Sequence, residues 1–249
     1  MSEEAKSVLE RLKEINETKG ESIFLPSLAK KVKFRSFTLK QQKDLLAKLP
    51  DDSTGLLSFN NNFNSIILDN CMEDISLDSL NNFDRLSVIL TYRITAVGNT
   101  VERGEKTIDL GKVIANVESA NYAVAQSVRE LGGDGFKAEI KLCSLAYDSK
   151  INTSTAVKLK KAKNQQGVIA EMYSAEILKY IKSLTLTEGE PAVVDMYSVL
   201  YDEKSKIVDN LPNTFARDIL HFVNEIKSLE DSIVTVDGEK IDISNELFG

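Results

Sequence analysis

The chain lacks tryptophan and has only one histidine and two cysteines among its 249 residues. A structural zinc site needs about four closely spaced nitrogen or sulfur ligands, and a catalytic triad needs a histidine beside its nucleophile. Cys71 and Cys143 lie in apolar or alternating segments, where a small buried thiol is the usual role. We therefore expect no metal site, no disulfide and no cofactor.

Long hydrophobic runs are also missing. The apolar stretches at residues 66–68 and 88–90 are far shorter than the roughly 20 residues that span a bilayer. The opening residues 1–6 lack the basic start and apolar core of a secretory signal. We therefore expect a protein that stays in the cytoplasm where it is made and has no contact with a membrane.

The charge balance is acidic, with 38 Asp and Glu residues against 31 Lys and Arg residues and a formal net charge of −7. Such a balance discourages non-specific binding to nucleic acid or to acidic lipid. We therefore expect no nucleic-acid partner unless a local basic patch binds one.

Helical spacing of apolar residues is the main pattern in the sequence. It predicts a first helix with one apolar stripe, with Ser2 as a candidate cap and Gly20 beyond its end. Thr38 and Gln41 have the spacing of a capping box, which predicts a helix beginning at Leu39 and stopped by residues 50–52. Further helices are predicted at the following positions: 56–67, 80–97 after a Ser79 cap, 120–131, 168–178, around 207, and 215–229.

Shorter alternating segments predict strands. Residues 31–36 alternate between basic and apolar side chains, and residues 136–142 place apolar side chains on one face and charges on the other. Residues 180–186 alternate more loosely. Asp237 and Gly238 separate two short apolar segments, and this dipeptide is typical of a tight hairpin turn.

These patterns together predict an α+β fold that is predominantly helical, with short strands and a C-terminal β-hairpin. Hydrophobic residues make up 42% of the chain, enough for a substantial core. We expect a mainly helical N-terminal lobe at residues 1–100, a mixed middle region at 101–164 and a helix-plus-hairpin lobe at 165–249. One continuous domain is the alternative.

A search for catalytic motifs finds no candidate catalytic residue. His221 lies on the predicted C-terminal helix with no partner specified by spacing, so we interpret it as a structural or surface residue. The glycine-rich residues 131–136 lack the lysine and hydroxyl of a phosphate-binding loop, and they precede a strand instead of a helix. A turn that enters this strand is the simpler interpretation.

Two lysine-rich runs remain, one between residues 30 and 43 and one between residues 158 and 163. We interpret the first as the solvent-facing side of a strand and the adjoining helix, and the second as part of a linker. The candidate partner-binding residues are Lys31, Lys33, Arg35, Phe59 and Phe63. For the two phenylalanines, a position in the core is the favoured alternative.

Residues 23–43 resemble the opening of the baseplate hub and hub-assembly proteins of T-even-like phages. In both, a Leu-Pro-Ser entry leads to a basic strand and then to a helix beginning near a threonine, here Thr38. Asp84 and Arg85, with the later Arg93, are similar to an acidic-arginine step on a helix of that family. Further similar features are Tyr180 to Leu184, Leu211-Pro212 and Glu246-Leu247-Phe248.

The resemblance implies a non-enzymatic protein of the baseplate hub, acting through protein–protein contacts as an incorporated subunit or as an assembly chaperone. Its implied partners are other phage hub or tail proteins, with self-association as an addition. Its implied location is the host cytoplasm during assembly or the tail baseplate of the virion. Two alternatives stay open: a nucleic-acid-binding accessory protein that uses the lysine runs, and an enzyme that uses carboxylates and a divalent metal.

Overall fold

The computed structural model describes residues 3–47, 53–104, 106–133, 135–190 and 192–242. The described chain is an α+β fold with mostly helical elements and short antiparallel strands, as the sequence predicts. Its helices are α1 (Glu3–Thr18), α2 (Leu39–Leu46), α3 (Ser53–Asn70), α4 (Asn82–Val97), α5 (Leu110–Ser119), α6 (Ala123–Gln126), α7 (Leu145–Leu159), α8 (Gln165–Tyr180), α9 (Tyr201–Asp209) and α10 (Asn213–Val234).

Within the described residues, the strands form four separate antiparallel sheets. Their bounds are β1 (Gly20–Leu25), β2 (Lys30–Arg35), β3 (Thr100–Arg103), β4 (Lys106–Asp109), β5 (Val128–Gly133), β6 (Phe136–Lys141), β7 (Ile181–Leu186), β8 (Ala192–Asp195), β9 (Thr235–Val236) and β10 (Glu239–Lys240). The largest sheet has the order β5-β6-β7-β8, and the other three are two-stranded hairpins.

The N-terminal part follows the predicted order closely. After α1, the β1–β2 hairpin places Ile23, Leu25, Val32 and Phe34 in the core, and the predicted basic strand is β2. The capping box is present, because the Thr38 side chain accepts from the Gln41 backbone while the Gln41 side chain accepts from the Thr38 backbone. The predicted cap Ser2 and stop at residues 50–52 lie outside the described residues.

Helix α4 is central, and Val88 and Leu90 at its middle are fully buried. Its predicted cap, Ser79, is wrong. Ser79 lies in a short 3-10 turn, and Asn81 caps α4 instead, in a capping box with Asp84. Gly98 ends the helix with a φ of 117°, a conformation that glycine adopts without steric strain.

The middle of the chain corrects the sequence prediction most. The helix predicted at 120–131 is wrong, because the short α6 is followed by β5, which pairs along its length with β6. The β3–β4 hairpin and the helices α5 and α7 are not in the prediction. Strand β6 itself is confirmed, and Gly135 lies in the turn that enters it, while Asp134 lies outside the described residues.

In the C-terminal part, the structure confirms the predicted helices, which are α8, α9 and α10. It also confirms the predicted strand, which is β7. The β9–β10 hairpin turns at Asp237 and Gly238, whose φ values are 52° and 82°. Strand β7 joins β6 to β8, so strands from before and after residue 164 share one sheet. The division into 1–100, 101–164 and 165–249 stays a prediction, and buried apolar residues from all three ranges belong to one continuous core.

Candidate interaction surface

The cationic side of β2 is the surface that the sequence singles out, and its three candidate residues are held differently. The Lys31 ammonium lies 2.8 Å from a Glu118 carboxylate oxygen. The Arg35 guanidinium donates to the backbone carbonyl of Asp69 at 2.9 Å. Lys33 has an exposed side chain, and no ion pair joins its ammonium to another described residue. Lys33 is therefore the most available of the three positive charges.

Neighbouring charges fix the rest of this face. Lys30 lies 2.8 Å from Glu73, and the backbone N–H of Lys33 also donates to that carboxylate. The hydrogen bond from Lys30 holds the pKa of Glu73 below its usual value, so this carboxylate stays ionised beside the strand. Among the described residues, this surface therefore carries positive charges with and without an ion-pair partner side by side, and partner binding by Lys31, Lys33 and Arg35 stays a prediction.

Phe59 and Phe63 both lie in the core, which is the alternative that the sequence favours. They are 2% and 0% exposed. The Phe63 ring lies 6.4 Å from the Phe59 ring and 6.3 Å from the Tyr92 ring, measured between centroids. These rings therefore stabilise the packing of α3 against α4 and present little surface to a partner.

The second lysine run is only in part a linker. Lys158 lies in the last turn of α7, where its ammonium is 2.9 Å from the Asp202 carboxylate. Lys160 is the C-terminal cap of α7, and residues 160–164 form a short connection to α8. The side chains of Lys160, Lys161 and Lys163 are exposed.

The histidine and the two cysteines differ in their exposure to solvent. The His221 side chain is 79% exposed, and its Nδ1 lies 3.0 Å from Glu225. Both cysteines are free thiols, and burial raises the pKa of the Cys143 thiol to about 12.

Within the described ranges, no group of three or more His, Cys, Asp or Glu residues could hold a metal ion. None of the described helices is both long and apolar enough to cross a membrane.

A buried ionic cluster was not predicted from the sequence. Asp148 of α7 accepts from Arg85 of α4 at 2.9 Å and lies 2.7 Å from the Lys179 ammonium of α8. Asn152 donates to the same carboxylate, and Asn64 of α3 accepts from Arg85 at 3.4 Å. The cluster therefore ties four helices together in the interior. Single charged residues in a chain give no periodic signal that could reveal it.

Two of the segments that carry the family resemblance, the Leu-Pro-Ser entry and the Asp84-Arg85 step, meet in the structure, and residues 246–248 lie outside the described residues. Asp84 accepts from the backbone N–H of Ser27 at 3.0 Å, and the Ser27 hydroxyl donates to the Ser79 carbonyl. Arg85 belongs to the buried cluster, and Arg93 donates to the carbonyls of Gly98 and Thr100. The Leu-Pro-Ser entry and the acidic-arginine step thus form one contact that fixes the β1–β2 hairpin on α4.

A known protein family matches most of the chain. Residues 19–239 match the sequence profile of a protein family described as T4 bacteriophage base plate protein. No curated protein matches the chain significantly. No solved structure matches it either. The family match begins just after α1 and ends within β10, so it spans every other helix and both candidate lysine runs.

Proposed function

The chain belongs to the T4 bacteriophage base plate protein family, and on this premise we propose that it is a non-enzymatic protein of the baseplate hub. Membership of this family supports a role in the phage tail baseplate and contacts with other baseplate proteins. The finer assignment to the hub rests on the resemblance of residues 23–43 and of the Asp84-Arg85 step to hub and hub-assembly proteins. The family match is the single observation that carries the proposal.

The placement of reactive groups supports a binding role. The Asp148 carboxylate, which is the acid of the ionic cluster, is neutralised by Arg85 and Lys179. The Cys143 thiol is 7% exposed and stays protonated at neutral pH because burial raises its pKa. These groups therefore stabilise the fold and are not directed at a substrate.

The β2 surface is the proposed contact region. Its charges lie on a hairpin that the hydrogen bond between Ser27 and Asp84 joins to the core. A partner with an acidic surface would pair with Lys33 directly and would compete with Glu118 for Lys31. Arg35 is held by the Asp69 carbonyl, so its guanidinium contributes mainly positive potential.

Co-expression with candidate hub proteins and affinity capture tests this proposal. The informative variant is Lys31→Gln with Lys33→Gln, which removes two charges from β2. Its matched control is Lys160→Gln with Lys161→Gln, which removes two exposed charges beyond α7. We expect the β2 variant to lose the captured partner and the control to retain it, and we expect the wild-type complex to weaken as salt is added.

Equal capture by both variants would exclude β2 as the contact region, and the absence of any captured baseplate protein would contradict the hub function itself. The same pair of variants also tests the nucleic-acid alternative. That alternative requires DNA or RNA binding that falls steeply with salt and that the Lys160 and Lys161 substitutions weaken.

A separate measurement distinguishes an incorporated subunit from an assembly chaperone. Mass spectrometry of purified virions detects the protein if it is a hub subunit, and it detects only the other tail proteins if the protein leaves after assembly. The resemblance includes both kinds of protein, so this measurement decides between them.

A further inference from the structure

The outer face of the β1–β2 hairpin carries its positive charges in a row. Alternate residues of a strand face the same side of a sheet, at a spacing of about 6.4–6.8 Å. Lys31, Lys33 and Arg35 therefore share the outer face. Val32 and Phe34, which lie between them in the chain, are fully buried on the opposite face. The strand thus presents cationic groups at regular intervals.

A carboxylate of the protein itself occupies one end of this row. The Glu118 carboxylate lies 2.8 Å from the Lys31 ammonium, and the two side chains are 40% and 55% exposed. An exposed ion pair of this kind changes an equilibrium constant by only about 1.4- to 5-fold. A carboxylate from another molecule can therefore replace Glu118 on Lys31 with a small loss of free energy.

The place of Glu118 in its helix shows that this carboxylate does not serve the helix itself. Glu118 lies in the last turn of α5, where a negative charge opposes the helix dipole. The ion pair with Lys31 offsets this unfavourable charge. Removal of the Glu118 charge should therefore leave the stability of the fold nearly unchanged, because the lost ion pair and the relieved repulsion oppose each other.

Lys33 extends the site for an acidic ligand. Its side chain is exposed, and no ion pair joins its ammonium to another described residue. The residue opposite Lys33 on β1 is the small Ser22. The nearby Glu73 carboxylate pairs with Lys30 and accepts only from the backbone N–H of Lys33. A ligand carboxylate can therefore pair with the Lys33 ammonium without displacing an ion pair between described residues.

We propose that this row binds an acidic protein segment in extended conformation, and that Glu118 is the internal competitor of that segment for Lys31. An extended segment with acidic residues at alternate positions has its carboxylates at the same spacing as Lys31 and Lys33. Electrostatic complementarity of this kind favours binding of the matching partner. The inference rests on the proposed function, because it takes the β2 surface as the contact region.

Fluorescence anisotropy with a labelled synthetic peptide tests the proposal on the full chain. The peptide has eight residues that alternate glutamate and threonine, and a control peptide has glutamine in place of each glutamate. We expect the wild-type protein to bind the glutamate peptide at low salt and not to bind the glutamine peptide. Glu118→Gln should bind the glutamate peptide about 2- to 5-fold more tightly than the wild type, because Lys31 has lost its internal partner.

The matched control variant is Glu130→Gln. It removes the same charge and breaks an equally short exposed pair, in which Glu130 lies 2.8 Å from Lys137 on a different sheet. Its peptide affinity should equal that of the wild type. In a Lys31→Gln background, Glu118→Gln should bring no increase in affinity, because the two residues act as one pair. Thermal melts should place Glu118→Gln close to the wild type.

Equal peptide affinities of Glu118→Gln and Glu130→Gln overturn the proposal, as does an increase that persists without Lys31. A wild-type protein that does not bind the glutamate peptide overturns it as well. The peptide assay contains no phage protein. Failure of the proposed hub function would therefore appear separately, as absent capture of baseplate proteins by a chain that still binds the peptide.

Discussion

The Asp148 carboxylate lies 2.7 Å from the Lys179 ammonium in the interior of the protein, where their side chains are 7% and 17% exposed. Burial alone would raise the pKa of Asp148, but the positive charges of Lys179 and Arg85 outweigh it and hold this pKa well below its usual range. The Asp148 carboxylate in turn raises the pKa of Lys179 against the effect of burial. The Asp148 carboxylate and the Lys179 ammonium are therefore ionised together, and each stabilises the charge of the other.

Asp148→Asn should destabilise the protein strongly. The substitution leaves two buried cations without their counter-charge, a change that typically costs about 3–5 kcal/mol. Glu139→Gln is the control, since it breaks the exposed pair between Glu139 and Lys182, for which a loss of less than about 1 kcal/mol is typical. Urea denaturation measures both. Similar costs for the two variants would contradict a structural role for the buried cluster.

The Asp148 carboxylate should also make the stability of the protein depend on pH. Its pKa is lower in the folded than in the unfolded protein, so its contribution is complete above the unfolded pKa of about 4 and is lost as the pH falls further. The difference in unfolding free energy between wild type and Asp148→Asn should therefore shrink as the pH falls below about 4. A difference that stays constant into that range would show that Asp148 is not the titrating group.

Lys204 is a buried lysine that hydrogen-bonds to a tyrosine, and no carboxylate of the described residues forms an ion pair with it. It is 4% exposed, and its ammonium donates to the Tyr147 hydroxyl at 3.0 Å. Burial lowers the pKa of Lys204 to about 8, with a smaller contribution from the charge of Lys150. Lys204→Met should therefore stabilise the protein at neutral pH, by roughly 1–2 kcal/mol after the lost hydrogen bond is allowed for.

The direction in which the stability difference changes with pH distinguishes removal of the buried Lys204 charge from simple repacking of the core. The unfolded chain binds the proton more tightly than the folded one, so the penalty is present below about pH 8 and disappears toward the unfolded pKa of about 10.4. The advantage of Lys204→Met over wild type should shrink across that interval, as followed by denaturation at several pH values. The exposed Lys206→Met serves as control, and a pH-independent advantage would refute the prediction.

The C-terminal hairpin gives a prediction about its turn. Gly238 has a φ of 82°, in the left-handed region that an alanine adopts only with strain. Gly238→Ala should therefore cost about 1 kcal/mol. Gly132→Ala is the control, because the φ of Gly132 lies outside the left-handed region and an added Cβ would meet no other atom within 4 Å. A thermal melt in which Gly132→Ala is the more damaging change would contradict the assigned turn.

Several elements were predictable because short-range chemistry determines them. The Thr38 and Gln41 side chains satisfy each other's backbone groups, so α2 begins where the capping pattern predicts. The apolar stripe of α10 is regular because one face of this helix packs on the core, and its buried residues include Ile219, Phe222 and Ile226. Asp237 and Gly238 tolerate positive φ, so they form the predicted hairpin turn.

Helix α7 was not predictable, and the reason is physical. It packs between α3 and α8 and buries Asp148, Asn152 and Thr155 together with its apolar residues. Polar residues inside the protein interrupt the alternation of apolar and polar faces on which the prediction depends. The sequence pattern predicts a helix where strand β5 lies for a related reason, because the pairing of β5 with β6 overrides a weak local preference.

The sequence by itself determined the local features of this protein: the capped start of α2, the basic strand, the tight hairpin turn and the apolar stripe of α1. Residues close together in the chain produce each of these features. Only the tertiary structure decided that Asp148, Arg85 and Lys179 neutralise one another in the interior, and that Phe59 and Phe63 lie in the core while the Lys33 side chain is exposed. Burial and electrostatic pairing depend on residues from distant parts of the chain, and folding alone brings those residues within reach.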